Sequence, residues 1–479
     1  MTISNCPYNF VRFSVAAPAL VCHHENMTKP FEEAQLEDAV LLPVAAYVSE
    51  DYARAERDKL WRKVWQQVGR VEELPQVGDY LTHEILDDSV IVVRATEHEL
   101  RAFHNVCPHR GRRLIDTPQG ARNATGRRLQ FTCGYHGWGF DLAGHNQRLP
   151  QKQDWKGALS SGCTSLSPVM LDTWGGWIWI NLDPDCEPLR QYLESAATML
   201  DPFELQRMRY RWRKWGVFEC NWKVALEAFA EAYHLPTTHP EFNKWGDFRS
   251  WSRTHGKHSN IGYDAPKDVD GNQQGKIRVG KGDARTSTAD MQVYTWEKAK
   301  TNTTQTLVDA ALALEQELPE GTPATTVLQH WISSARRMDE ERGVVWPAVD
   351  PEHVAKSGTA WQVFPNFQIG HSVNNMLCYS ARPVGYDPNK CVLEAAVFQH
   401  FPEGEAPTTS WVYSEATAEA WSHVLAQDFS NMAAVQKGMK SVGFSGAKPN
   451  PYMERSVANL HRNLAYYMGA SAPRPLDER

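Results

Sequence analysis

Four residues in two short stretches have the types and spacing to hold metal: Cys107-Pro-His109-Arg-Gly and Cys133-Gly-Tyr-His136-Gly-Trp. One thiol and one imidazole two or three positions apart occur on many loops. Two such pairs in succession, each flanked by glycine that lets backbone amides approach sulfur, form the pattern of a metal centre. Two thiolates and two imidazoles suffice for one tetrahedral zinc, but zinc sites draw on CxxC with HxxxH, whereas here each stretch offers one ligand of each kind. Mixed loops suit a two-iron cluster, with both thiolates on one iron and both neutral imidazoles on the other.

A second set lies further on, in NWKVALEAFAEAYHLPTTHP, residues 221 to 240. Trp222 to Tyr233 is rich in Ala, Leu, Glu, Lys and Phe and predicts a helix that Pro236 ends, with His234 at its C-terminus and His239 five residues on in a loop. Glu231, three residues before His234, falls on about the same helix face. Two such histidines are as compatible with ordinary hydrogen bonding as with a metal edge. From Thr417 to Met439 a helical pattern places Trp421, Val424, Leu425, Met432 and Val435 on one face, and Asp428 in the middle of it. A carboxylate on an apolar stripe is costly unless it is paired or metal-bound. An N-cap or a salt bridge to Lys or Arg is the structural alternative.

The elements that must position these groups follow from the rest of the chain. Leu41 to Asp79 reads as helix, with Tyr52, Leu60, Trp61 and Trp65 between charged neighbours. Residues 75 to 183 read as a small all-β module of short runs, DYLTHEIL, SVIVVRA, LRAFHNVC, LQFTC, GWGFDL and GGWIWINL, divided by turn residues. LRQYLESAATMLDPF predicts a helix and RMRYRWRKWGVFEC a strand. Residues 241 to 358 are polar and Thr-rich, with helices expected at Thr304 to Leu318 and from Pro323, capped by Thr322, to Arg342; TSTADMQVYTWEKAKTNTTQ is expected to be mobile. WQVFPNFQIGHSV, NNMLCYSARPVG and CVLEAAVFQHFP predict an antiparallel sheet, in which Phe364, Phe367, Met376 and Phe398 are expected to pack the core rather than line a pocket.

Composition narrows the partners. The 479 residues carry 50 Lys and Arg against 57 Asp and Glu, a net charge of −7, which argues against nucleic acid or an anionic membrane surface. No run of eighteen apolar residues occurs, and VRFSVAAPALVC near the N-terminus lacks a convincing cleavage site, so a cytoplasmic protein is expected. The nine cysteines are odd in number and scattered, unlike a disulfide framework. Residues 1 to about 27 read as weakly structured, Met27 is a second candidate start, and Cys22-His23-His24 is not assigned a metal. No P-loop or GxGxxG occurs, so nicotinamide and flavin are not expected to bind this chain.

CPHRG with CGYHGW resembles the Rieske [2Fe-2S] signature, and NWK followed by EAYHLPTTH resembles the mononuclear-iron motif of the Rieske non-haem iron ring-hydroxylating oxygenases, large (α) subunit. The likeness runs from about Pro43 to the C-terminal helix. It implies an α+β chain: an N-terminal segment (1–40), a Rieske domain with its preceding helix (41–185), and a catalytic domain with antiparallel sheet and helices, helix-grip or START-like (186–479), whose region 241–358 covers the substrate channel. It implies Cys107, His109, Cys133 and His136 as cluster ligands. Replacing two thiolates by imidazoles would raise the cluster potential into roughly the −150 to +300 mV range.

The same likeness implies Fe(II) on His234, His239 and a third ligand, because a facial site of two histidines and one carboxylate leaves positions open for O₂ and substrate. The family's QD helix, ending here in Gln436-Lys-Gly438-Met-Lys-Ser441, singles out Asp428. Glu231 stands where the family usually has Asp, as the link to a Rieske histidine of a neighbouring subunit; Ala228 stands where relatives often carry Asn, and Asn221 is expected to support the ligand shell. The 23 residues between His109 and Cys133 exceed the usual spacing, and QGARNATGRR is expected to be a surface loop. The implied function is a terminal oxygenase that takes electrons from NAD(P)H through a reductase, with or without a ferredoxin, and hydroxylates a hydrophobic, aromatic substrate by dihydroxylation, monooxygenation or demethylation. An α₃ assembly is expected, with α₃β₃ as the other form. The rival is a Rieske electron carrier with a degenerate second site.

Overall fold

In the strand Asp88–Arg94, Val90 and Val92 pack into one apolar cluster and Ile91 and Val93 into another, and all four are fully buried. A strand covered on both faces needs no alternation, which is why SVIVV is an unbroken apolar run. It lies at the centre of the N-terminal unit of the computed structural model, which describes residues 39–159, 161–246, 249–264 and 282–476. The segment expected at residues 1–40, with Cys22-His23-His24, lies outside the described residues but for its last two.

Seven strands form the main sheet of this unit. Their spatial order is Gln66–Arg70, Trp177–Asn181, Pro168–Trp174, Leu100–His104, Asp88–Arg94, Asp79–Ile85 and Thr125–Arg127, each antiparallel to its neighbour. Three short strands, Phe131–Thr132, Gly139–Phe140 and Asn146–Arg148, form a second sheet. The six runs expected to be strands all lie in these sheets. QGARNATGRR departs from expectation: its Thr125–Arg127, although exposed, pairs with Asp79–Leu81 as an edge strand.

The helix expected from residue 41 to 79 is shorter. It is divided into Ala45–Val48 and Glu50–Glu56, the second capped by Ser49, and closes with the wide turn Arg57–Trp61. Gln66–Arg70 is a strand instead, because the apolar strand Trp177–Asn181 offers it a pairing edge that outweighs helical spacing. The helix also belongs elsewhere than expected. The described residues divide into two compact units, 61–186 in one and 39–60 with 187–476 in the other. A buried ion pair ties this helix to the catalytic unit. The Glu56 carboxylate meets the Lys223 ammonium at 2.6 Å, with both side chains 1% exposed.

The second unit holds an eight-stranded sheet in the order Ser250–His255, His258–Tyr263, Ala360–Val363, Phe367–His371, Asn375–Val384, Asp387–Gln399, Arg209–Phe218 and Val412–Tyr413, antiparallel except for the last pair. Phe364, Phe367, Met376 and Phe398 are buried in its core. The first two strands lie in the region read as polar and variable. Helices Ala284–Tyr294, Gln305–Glu317 and Ala324–Glu341 pack together through Leu307, Ala311, Leu314, Val327 and Trp331. The stretch expected to be mobile is therefore ordered: it supplies the first of these helices, capped by Asp283, and the wide turn Thr295–Ala299. With its β module and its mixed catalytic unit, the chain is α+β.

Candidate metal centres

The two Cys/His stretches of the N-terminal unit are built alike. Gly111 N–H donates to the Cys107 carbonyl and Gly137 N–H to the Cys133 carbonyl, both at 3.0 Å, while Cys107 N–H donates to Arg112 and Cys133 N–H to Trp138, both at 2.8 Å. Gly111 and Gly137 close these loops at φ of 75° and 73°, a region that favours glycine. The loops match although histidine follows cysteine by two residues in one and by three in the other. Both thiols are buried, and the rings of His109 and His136 lie 4.6 Å apart.

Burial pushes the Cys107 thiol up to about 11; the backbone amides of His109 and Arg110 act against this, and the neighbouring Cys133 adds to it. Amides directed at a sulfur in a dry pocket suit a thiolate that a metal would hold. Among the described residues, only His234, His239 and Asp428 gather tightly enough to hold a single ion. Each loop offers one thiol and one imidazole, the mixed pairing that a two-iron cluster takes and a CxxC with HxxxH zinc site does not. The donor set fits the cluster.

In the catalytic unit the expected helix ends early. Asn221 caps Trp222–Glu227, and the chain then turns through Ala228–Tyr233. Glu231 is therefore not on a helix face shared with His234. It reaches His234 by folding back: Oε1 lies 2.6 Å from Nδ1, and Oε2 accepts the N–H groups of Tyr233 and His234. His234 then opens the short helix Leu235–Thr238, with Pro236 in its first turn where a missing N–H costs nothing, and His239 closes it. One short helix thus spaces the two imidazoles, whose ring centres are 5.3 Å apart.

Asp428 comes from His423–Gly438, a helix that begins at its Ser422 cap rather than at Thr417. It is buried, and its Oδ1 lies 2.9 Å from His239 Nε2 and 3.4 Å from His234 Nε2. Neither the N-cap nor the Lys or Arg salt bridge is its role. On the far side of each ring a carbonyl-type oxygen takes Nδ1: Glu231 for His234, and Gln427 Oε1 at 2.7 Å for His239. Those acceptors set the tautomers so that both Nε2 atoms face Asp428.

Burial disfavours a charged ring, yet hydrogen bonds to Asp428 and Glu231 push His234 up to about 10, and Asp428 raises His239 against the same burial. A pocket that would hold protons this firmly favours positive charge, and a divalent cation supplies it while both rings stay neutral. Two imidazoles and one carboxylate fit a mononuclear iron. His234, Asp428 and Glu231 also line a cavity of about 460 Å³ together with Glu227, Met432 and Glu454.

The family described as "Ring hydroxylating alpha subunit (catalytic domain)" matches residues 189–470, and the Rieske [2Fe-2S] domain matches residues 64–165.

The chain belongs to the ring-hydroxylating α-subunit family.

Its first unit is a Rieske [2Fe-2S] domain and its second an oxygenase catalytic domain, a type that uses mononuclear iron and O₂. The oxygenase subunit of carnitine monooxygenase from Escherichia coli K12 is 30% identical over 226 residues, 47% of this chain and 59% of that protein. Benzene 1,2-dioxygenase subunit alpha from Pseudomonas putida is 32% identical over 199 residues, 40% of this chain and 42% of that protein. The matches thus span about half the length of these curated relatives. Among solved structures, the quaternary ammonium Rieske monooxygenase CntA with L-carnitine has TM-score 0.59 at 19% identity, covering 92% of this chain and 99% of that one. A naphthalene 1,2-dioxygenase variant has TM-score 0.59 at 18% identity, covering 94% and 96%.

Asn221 makes its hydrogen bonds away from His234, His239 and Asp428. Its side chain caps the Trp222–Glu227 helix and donates to the Tyr47 and Pro388 carbonyls, while Gln436 Oε1 accepts its N–H. Gln427 is absent from the expected residues, although its place before Asp428 in the QD pair is a signal; its Oε1 lies 2.7 Å from His239 Nδ1. Glu227 was also missed. It accepts from Tyr47 and His461, and it lines the cavity beside Glu231.

Proposed function

We propose that this protein is the terminal oxygenase of a multicomponent system, taking electrons from NAD(P)H through a separate reductase, with or without a ferredoxin, to oxygenate a small organic substrate. One observation carries the reading. His239 and Asp428, 189 residues apart in sequence, meet at 2.9 Å with His234 beside them. We assign His234, His239 and Asp428 to Fe(II), and Cys107, His109, Cys133 and His136 to the [2Fe-2S] cluster. Bound there, the iron supplies open coordination positions at which O₂ and substrate can meet.

The chain's own residues hold that arrangement. Glu231 and Gln427 accept from the outer nitrogens of the two rings and keep Nε2 turned inward. Glu231 is also the link to a Rieske histidine of a neighbouring copy, in a homotrimer that assembles with or without a β subunit. The reading puts the protein in the cytoplasm with its reductase. Among the described residues no helix is long and apolar enough to cross a membrane.

For the substrate, the benzene dioxygenase likeness supports a hydrophobic aromatic compound attacked by dihydroxylation, with monooxygenation or demethylation as the other outcomes. A second reading, a quaternary ammonium compound, has its own support. Phe242, Trp245 and Tyr294 cluster beside His239, and the Lys244 ammonium already sits 4.1 Å from the Trp245 ring centre and 5.8 Å from that of Tyr294. Lys244 occupies those faces, so a quaternary ammonium would instead meet the carboxylates of Glu227, Glu231 and Glu454 that line the cavity beside His234. The test is product analysis under ¹⁸O₂, with reductase and NAD(P)H, across aromatic compounds and trimethylammonium compounds. Label in product from one class selects it. A chain with only the two cluster irons and no labelled product would be the electron carrier instead.

A further inference from the structure

Beside the cluster loops, residues 150–157 make a tight turn around the 3-10 helix Lys152–Trp155. Gln151 enters it and Lys156 leaves it, both with left-handed backbone at φ of 54° and 50°. That conformation is uncommon for residues with side chains, and two instances in six residues hold the turn to one shape. What it presents is Asp154 and Trp155. Both line a cavity of about 360 Å³ that His109, His136 and Trp138 also line.

The two imidazoles are treated unequally there. Trp138 stacks on His109 at 5.0 Å and 5°, and Trp155 stands edge-on to both, 6.3 Å from His109 and 6.0 Å from Trp138. Among the described residues no indole stacks on His136, which is exposed and packs on Tyr135 at 3.7 Å. We propose that this turn tunes the cluster's reduction potential, Asp154 through its charge and Trp155 by keeping water from His109. The inference rests on the assignment of Cys107, His109, Cys133 and His136 as cluster ligands.

The sign follows from charge. Two ferric ions, two sulfides and two thiolates sum to zero, so one-electron reduction adds a net negative charge to the cluster. A carboxylate facing the same cavity disfavours that charge, and an indole in place of water withholds the solvation that would stabilise it. Both hold the potential down. Asp154 is itself exposed, so its share is screened by salt and that of Trp155 is not.

The test is a redox titration of the purified full-length protein, followed by visible circular dichroism, for the parent, Asp154→Asn, Trp155→Ala, Trp155→Phe and Lys152→Gln. Asp154→Asn should raise the reduced-to-oxidised ratio at fixed poise roughly three- to tenfold, tenfold being about 59 mV for a one-electron couple, and the gain should shrink with added salt. Trp155→Ala should also raise it, without salt dependence, and Trp155→Phe should stay near the parent. If Trp155→Ala assembles no cluster, the isosteric Asp154→Asn decides alone. Unmoved potential in Asp154→Asn, with parental iron and sulfide content, overturns the proposal. So does a fall in Lys152→Gln as large as the rise in Asp154→Asn, which would make the effect one of diffuse surface charge. A parent that assembles no cluster overturns the ligand assignment, and this inference with it.

Discussion

Gln427 stands 2.7 Å from His239, its Oε1 on the ring's Nδ1. The next residue on the same helix, Asp428, holds the opposite ring nitrogen at 2.9 Å. Consecutive residues thus grip one imidazole from both ends and fix its direction as well as its tautomer. Loss of such an outer partner lowers metal affinity about 10- to 100-fold. Gln427→Leu is expected to bind Fe(II) that much more weakly in a titration of iron-depleted protein, with an unchanged cluster spectrum. Parental affinity would count against the assigned role.

Asp428→Ala removes the one carboxylate among the described residues that touches both Nε2 atoms. The expected result is loss of one iron per chain and of all oxygenated product, while visible absorption from the cluster persists. Metal analysis alongside the absorption spectrum checks this, and retention of the third iron would move the ligand elsewhere.

Glu231 should separate two roles by its variants. Glu231→Gln keeps an acceptor for His234 Nδ1 and should retain iron, yet lose turnover because it lacks the carboxylate assigned to the link between centres. Glu231→Ala should also weaken iron binding about 10- to 100-fold, since no acceptor remains. Iron content and single-turnover yield measured on the same samples distinguish them; equal turnover in Glu231→Gln and parent would remove Glu231 from the electron route.

The pair Lys223–Glu56 is enclosed, and burial lowers the Lys223 pKa against the pull of Glu56. Breaking one side leaves an uncompensated buried charge, at a cost of about 3–5 kcal/mol. Glu56→Leu should lower stability by that order in denaturant unfolding, and Glu56→Leu with Lys223→Met should recover most of it. A double variant no better than the single would show that the pair contributes more than mutual neutralisation.

Acid should loosen the catalytic unit. His258 is buried as a neutral ring, with one nitrogen 2.8 Å from the Tyr192 carbonyl and the other accepting the Phe364 N–H at 3.0 Å, and burial lowers its pKa to about 3. Burial brings His371 and His400 to about 4. The unfolded chain protonates these rings near pH 6.5 and the folded chain resists, so their contribution is complete above that value and is lost on acidification towards pH 4 and below. Each adds a slope of up to about 1.4 kcal/mol per pH unit. Unfolding midpoints between pH 7 and pH 4 should fall, and His258→Asn should flatten the dependence.

Much of the site was legible because its demands show in residue types. Cysteine and histidine beside glycine at 107–111 and 133–137 have few uses other than metal, and Asp428 stands out on an apolar face. What failed depended on contacts outside the segment concerned. Ala228–Tyr233 has helix-forming composition, but Glu231 folds back onto the N–H groups of Tyr233 and His234 and the helix ends at Glu227. The strands Ser250–His255 and His258–Tyr263 were hidden because Ser252, His258 and Asn260 are buried through hydrogen bonds to Ser456, Tyr192 and Ser357, which breaks the expected polar alternation. Gln427 matters only through the ring it touches.

Leu60 and Glu187 bracket an interruption, since the catalytic unit is made of two stretches of chain with the β module written between them. A protease that nicks the backbone at Glu187 would not free a self-sufficient half. The departing fragment would take Glu56 with it, and Lys223 would remain as a lone ammonium in a dry interior. The piece that can be regarded as a cassette is the middle one, Trp61 to Cys186, and exchanging it between relatives would leave both ends of its host in place.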